Sequence, residues 1–240
     1  AVESRSPVRN ITSTLSEVGL VAGQHYHIHE YCEDDMVRSY PVLKEMARHP
    51  TLLKTEEFTR GTVSLAWGFH AEALTLWFRQ RQSGARLEDV WVFEDDVAWA
   101  GKDIAKDFFL HFQDERADLI SADCSRFNHQ WWWSTVFSAA CGERIPEEAR
   151  RNSREHVQRF SRKLLDRLHD LATAGCSGWS EAWSVSVCTA EPDLEFALLP
   201  KRFLGAPYCY DGRVSKSQWD DVMNDRSARF RDKLYHALKW

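Results

Sequence analysis

The residues best placed for chemistry lie where Val90-Trp91-Val92-Phe93 gives way to Glu94-Asp95-Asp96. Carboxylates set side by side repel one another, which raises a pKa unless a cation or an arginine neutralises them. Mg²⁺ and Mn²⁺ favour such oxygen ligands; they bind between one or two carboxylates and a substrate diphosphate and stabilise charge on a departing phosphate. The competing reading is structural: acids after a strand cap the following helix, whose first turn favours negative charge. Neighbouring acids on a strand point in opposite directions, so they cannot flank one bond as the acid and nucleophile of a glycosidase must. His25, His27 and His29 fall at i, i+2 and i+4 of a strand-like run and would share one face. Nothing nearby completes a metal set, and an ordinary exposed strand face is the better account of them. The chain has no G-x-S-x-G, no Gly-rich phosphate loop and no lysine beside the acids, which disfavours nucleophilic hydrolysis and phosphoryl transfer.

The elements that must hold the acids follow from patterning. Val90–Phe93 is apolar without alternation, as in a strand covered on both faces, and ligands in parallel sheets sit at the carboxyl ends of strands. The spacing predicts helices over 11–18, ended by Gly19, and over 42–47 after Pro41, then a long one over 58–81. A further helix is expected over 104–112, then a strand over 118–123. Helix, strand, helix, strand through the middle of the chain predicts an α/β fold with a mainly parallel central sheet flanked by helices. Beyond it, Asn128 to Trp133 forms an aromatic loop or strand edge. Pro146 opens a helix to Ala174, buried along Val157, Phe160, Leu164, Leu168 and Leu171, with Arg154 among the basic residues on its solvated sides. Strands are expected at 182–189, 197–199 and 207–210, and a polar helix from Ser217 to the end.

Composition sets bounds. The 240 residues carry 31 Lys+Arg against 36 Asp+Glu, a net charge of −5, which argues against a non-specific nucleic-acid coat. No apolar run is long enough to span a membrane. Eleven Trp with only 11 Gly and 7 Pro suit a compact enzyme with an aromatic-lined cleft. Six scattered cysteines lack any C-x-x-C spacing and permit either three disulfides or buried free thiols. Asn10-Ile11-Thr12 is a formal glycosylation sequon. The compartment stays open.

The run Trp91-Val92-Phe93-Glu94-Asp95-Asp96-Val97 resembles the strand-plus-acid signature of glycosyltransferases with the GT-A fold. It is most similar to the lipopolysaccharide-type family that includes procollagen galactosyltransferases. Arg9 to Gly19 with His25 to His29 resembles that family's opening helix and strand, and Gly61 to Trp77 occupies the place of its Gly-Ser-His-Trp helix. Gly178 to Cys188 stands where the family has a hydrophobic strand near the acceptor. The likeness covers about residues 8–125; the eight residues before Arg9 are too few for the family's first strand, and His70 and Trp77 lie farther apart than in its pattern.

The resemblance implies a single catalytic domain over 1–240, with a nucleotide-sugar part at about 8–125 and an acceptor part at about 126–240. It implies a UDP- or GDP-sugar donor, a glycan or glycoprotein hydroxyl acceptor, and Mn²⁺ or Mg²⁺ held by Glu94 and Asp96. Asp95 would orient the sugar or ribose, with Arg213 a second donor-binding candidate. An inverting reaction needs one further carboxylate to take the acceptor proton. The candidates are Glu181 between Trp179 and Trp183, then Asp211 beside Gly212, then Asp123. Trp131, Trp132, Trp179 and Trp183 are the candidate acceptor platforms. The alternatives are a carbohydrate- or protein-binding module whose acids merely cap, and a metal-dependent phosphoryl-transfer enzyme.

Overall fold

The computed structural model describes residues 7–22, 24–25, 27, 32–55, 64–81, 87–126, 131–205, 214–225 and 229–238. Among these the helices are α1 (Pro7–Glu17), α2 (Glu33–Ser39), α3 (Val42–Met46), α4 (Leu65–Gly68), α5 (His70–Arg81), α6 (Ile104–Asp107), α7 (Arg162–Thr173), α8 (Ser180–Ala190) and α9 (Lys216–Asn224). The strands are β1 (Asp89–Phe93), β2 (Ala98–Trp99), β3 (Leu119–Ser121), β4 (Ser125–Arg126), β5 (Arg151–Asn152), β6 (Val157–Ser161), β7 (Phe196–Leu198) and β8 (Leu234–Tyr235). The chain groups into two compact units. Unit 1 gathers Ala1–His29, Val92–Arg116 and Leu199–Trp240; unit 2 gathers Glu30–Trp91 and Ala117–Leu198. The expected division near residue 125 falls inside unit 2.

Unit 2 carries the main sheet, in the order β1-β6-β3-β7. β3 runs antiparallel to β6, pairing Leu119 with Phe160, and parallel to β7, pairing Leu119 with Phe196. The fold is mixed α/β with helices flanking the sheet, but the sheet is not mainly parallel. The reason is β6, which lies between β1 and β3 and which the periodicity assigns to a helix. Val157 and Phe160, three apart, continue the stripe of Leu164, Leu168 and Leu171 by coincidence. Gln158 and Arg159 between them are buried as well, so the segment has no polar face to make it amphipathic. The expected helix over 146–174 is therefore a 3₁₀ turn at Glu147–Ala149, then β5 and β6, and only then α7. Ser161 starts α7 by accepting the Leu164 N–H at 3.1 Å.

A second correction concerns 182–189, expected as a strand and found within α8. Residues 180 to 188 are all buried, and a helix apolar on every side carries no amphipathic signature; its β-branched residues are overruled by packing. α8 packs against β3, β5 and β7, and α5 against α7. A core of Met36, Tyr40, Leu43, Leu52, Phe69, Val136 and Trp179 fills this unit. A disulfide joins Cys141 to Cys176, while Cys32, Cys124 and Cys188 are free. β1 is an edge strand whose last four residues are only half-buried, not a strand covered on both faces.

Unit 1 is built on a small antiparallel pair, β2 with β8, registering Ala98 with Tyr235 and Trp99 with Leu234. α1 ends where Gly19 takes φ +83°, as its sequence predicts. The expected 104–112 helix is α6 followed by a 3₁₀ turn at Phe109–Phe112. α9 opens on a capping box, Ser215 with Gln218, and stops at Asn224; the rest of the expected C-terminal helix includes β8. Ala98, Ala100, Val214, Val222, Tyr235 and Leu238 form its core. Phe108 meets Phe93, Trp99, Phe112 and Phe203 edge-on or tilted beside it. His25 lies in a turn and its Nδ1 accepts the Val21 N–H at 2.9 Å, so the expected strand does not form there; Tyr26, Ile28 and His29 lie outside the described residues. The expected helix from 58 is described only as α4 and α5, and the expected strand at 207–210 lies outside the described residues.

Candidate metal centre

β1 delivers Glu94, Asp95 and Asp96 into a tight turn closed by the Val97 N–H on the Glu94 carbonyl at 3.2 Å. The chain then enters β2, and β2–β8 pairing draws the 234–238 segment alongside. The Leu238 N–H donates to the Asp96 carbonyl at 3.0 Å, fixing that register. His236, between them, sets Nε2 3.4 Å from Glu94 Oε2 and 3.2 Å from Asp96 Oδ1. His236 and Asp96 are buried, Glu94 is partly so, and Asp95 is exposed. Burial alone would lower the His236 pKa, but hydrogen bonds and charge from Asp96 and Glu94 outweigh it and push the imidazole up to about 9. The imidazolium thus occupies the position of a counter-cation between two carboxylates. Two carboxylate oxygens, with one imidazole nitrogen once an ion displaces its proton, are ligand types that a divalent ion accepts.

The other sequence candidates lie in unit 2 or outside the described residues. Glu181 stands in the first turn of α8, buried, with Oε1 3.5 Å from Arg154 Nη1. The Arg154 N–H donates to Asp123 Oδ1 at 2.7 Å, and its guanidinium lies 5.4 Å from the Trp131 ring centroid. Arg154 therefore links Asp123 and Trp131 to Glu181, 50 or more residues away in sequence. Trp179 is buried and stacks on Trp133 with ring centroids 4.0 Å apart, and Trp183 is buried against Phe137. As placed, both are core indoles and present no open face to an acceptor, contrary to the expectation. Trp132 opens the 3₁₀ turn Trp132–Thr135. Asp211 and Arg213 lie outside the described residues. Asn10 accepts the Trp99 N–H at 2.8 Å through its side chain, so the sequon asparagine is tied to β2.

The sequence pointed to the acids but missed their histidine. His236 sits in Leu234-Tyr235-His236-Ala237-Leu238, a polar residue in an apolar run, and that signal was hidden by assigning the segment to a helix. Arg154 was missed with β5 and β6 for the same reason. Unit 2 holds further buried acids, among them Glu155, which pairs with His70 at 2.9 Å, and Glu72, which accepts the Ser177 hydroxyl at 2.6 Å. Comparison of the chain with protein-family models, with curated proteins and with solved structures finds no match.

Proposed function

We propose that this chain is a metal-dependent glycosyltransferase, moving a sugar from a nucleotide-diphosphate sugar to a hydroxyl acceptor. The observation that carries this reading is the convergence of Glu94, Asp96 and His236 at a strand end. Glu94 and Asp96 would hold the ion, Mn²⁺ or Mg²⁺, with His236 as nitrogen donor. That ion would supply charge neutralisation for the diphosphate and for the phosphate that departs. Asp95, exposed on the same turn, would orient the donor's sugar or ribose.

Thermal unfolding of the full chain with UDP, GDP or CMP, with and without Mn²⁺, tests the reading. A nucleotide at about 100 times its Kd stabilises the native state by roughly 2.7 kcal/mol. The wild type is expected to show that shift with one base and only with Mn²⁺. Asp96→Asn and His236→Ala are expected to lose it and to lose donor turnover. A folded wild type that responds to no nucleotide overturns the reading and leaves the binding module.

A further inference from the structure

Unit 2 also carries an open cleft of about 620 Å³, formed by α3, the loop after it and residues 137–139. That volume is in the range of small-molecule sites. Its apolar lining includes Met46 and Phe137, both buried. Its polar lining is unbalanced. Lys44 on α3 and Arg48 in the turn after it both line the cleft. Both are exposed, and neither side chain makes a hydrogen bond or ion pair among the described residues. His49 accepts the Thr51 N–H on Nδ1 at 3.2 Å, so its neutral ring carries the proton on Nε2 and is a donor there. Burial lowers the His49 pKa, which keeps that neutral donor form at pH 7. Against these three donor groups stands one carboxylate in the lining, Glu45, also without a partner among the described residues.

We propose that this cleft binds a small organic oxyanion, a phosphate or carboxylate held by Lys44, Arg48 and His49, with its apolar body against Met46 and Phe137. The site does not depend on the transferase reading, because none of its residues belongs to the acidic turn or to the Arg154 cluster. Glu45 limits the charge the site accepts, since a second negative group would meet its carboxylate.

Calorimetric titration of the full chain at low salt with phenyl phosphate, phenylacetate, inorganic phosphate and benzyl alcohol tests the proposal. Phenyl phosphate or phenylacetate is expected to bind with a Kd of about 1 mM or below, and the stronger of the two identifies the oxyanion. Benzyl alcohol and inorganic phosphate, each carrying half the recognised chemistry, are expected to bind at least about tenfold more weakly. Lys44→Gln/Arg48→Gln is expected to weaken the aromatic anion about tenfold or more and Glu45→Gln to tighten it a few-fold, with unfolding midpoints unchanged because these side chains are exposed and unpaired. No binding of either aromatic anion up to about 20 mM, or equal binding by the double variant, overturns the site. Inorganic phosphate matching phenyl phosphate overturns its apolar half. All of these outcomes are independent of whether Mn²⁺ and a nucleotide bind at Glu94 and Asp96.

Discussion

Glu72 lies wholly inside unit 2 on α5, where one carboxyl oxygen accepts the Ser177 hydroxyl and the other meets no partner among the described residues. Burial pushes its pKa up to about 7, and the Ser177 bond and the neighbouring His70 pull it only part of the way back. An acid whose native pKa is raised binds its proton more tightly when folded, so its contribution to stability is full below about pH 4.5 and is lost as pH rises to about 7. The loss amounts to on the order of 3 kcal/mol for a shift from 4.5 to about 7. Glu72→Gln, which still accepts from Ser177, is expected to abolish that slope and to be more stable than wild type at pH 8. Urea unfolding of both proteins at pH 5 and pH 8 measures it, the contributions of other groups cancelling in the difference. A wild type and variant with parallel pH profiles would show that Glu72 is ionised when folded. At this scale the sequence exposed only groups whose type and adjacency announce them. Glu94-Asp95-Asp96 was legible because three acids follow an apolar strand. Glu72 was not, since a glutamate in a helix carries no mark of its burial.

Ser161 joins two elements. Its oxygen accepts from the Leu164 N–H at the start of α7, and its hydroxyl donates to Asp118 at 2.5 Å beside β3. The other Asp118 oxygen accepts the Glu195 N–H at 3.0 Å, so one carboxylate ties the entry to β3 to a helix cap and to the approach to β7. Ser161→Ala removes a cap and one of the bonds to a buried carboxylate, and is expected to cost about 2–3 kcal/mol in denaturant unfolding. Gly68 is constrained differently: a Cβ there would lie 2.9 Å from Trp179 Cη2, with a neighbouring ring carbon closer still. Gly68→Ala is expected to cost about 1–3 kcal/mol by the same measurement, because the indole is locked by its stack on Trp133. α1, α3, β1, β3 and β7 were all legible, being periodic or apolar segments bounded by Gly, Pro or charge. Two of the failures, β6 and α8, share one cause. Both are buried on every side, and a segment with no solvent face loses the contrast by which a period of two is told from one of 3.6.

At the scale of the whole chain, the two units differ in how they are tied. Unit 2 holds the disulfide Cys141–Cys176, closing a loop of 35 residues. Reduction, or Cys141→Ser, is expected to lower its stability by about 3–4 kcal/mol, read as a shift of the denaturant midpoint with and without reductant. An unchanged midpoint would show that the bridge carries none of the stability. Neither unit was legible as such, because each collects segments from distant parts of the sequence and no linker composition marks the crossings. The same interleaving has a consequence for biosynthesis. The acids of the candidate metal centre emerge from the ribosome with residue 96, but their imidazole is 140 residues downstream. At about 5–20 residues per second the carboxylates wait roughly 7–28 s for it. Strand β2 waits as long for β8, its partner among the described residues. A translation product stalled after residue 96 but before residue 236 therefore carries the complete acidic motif without its histidine.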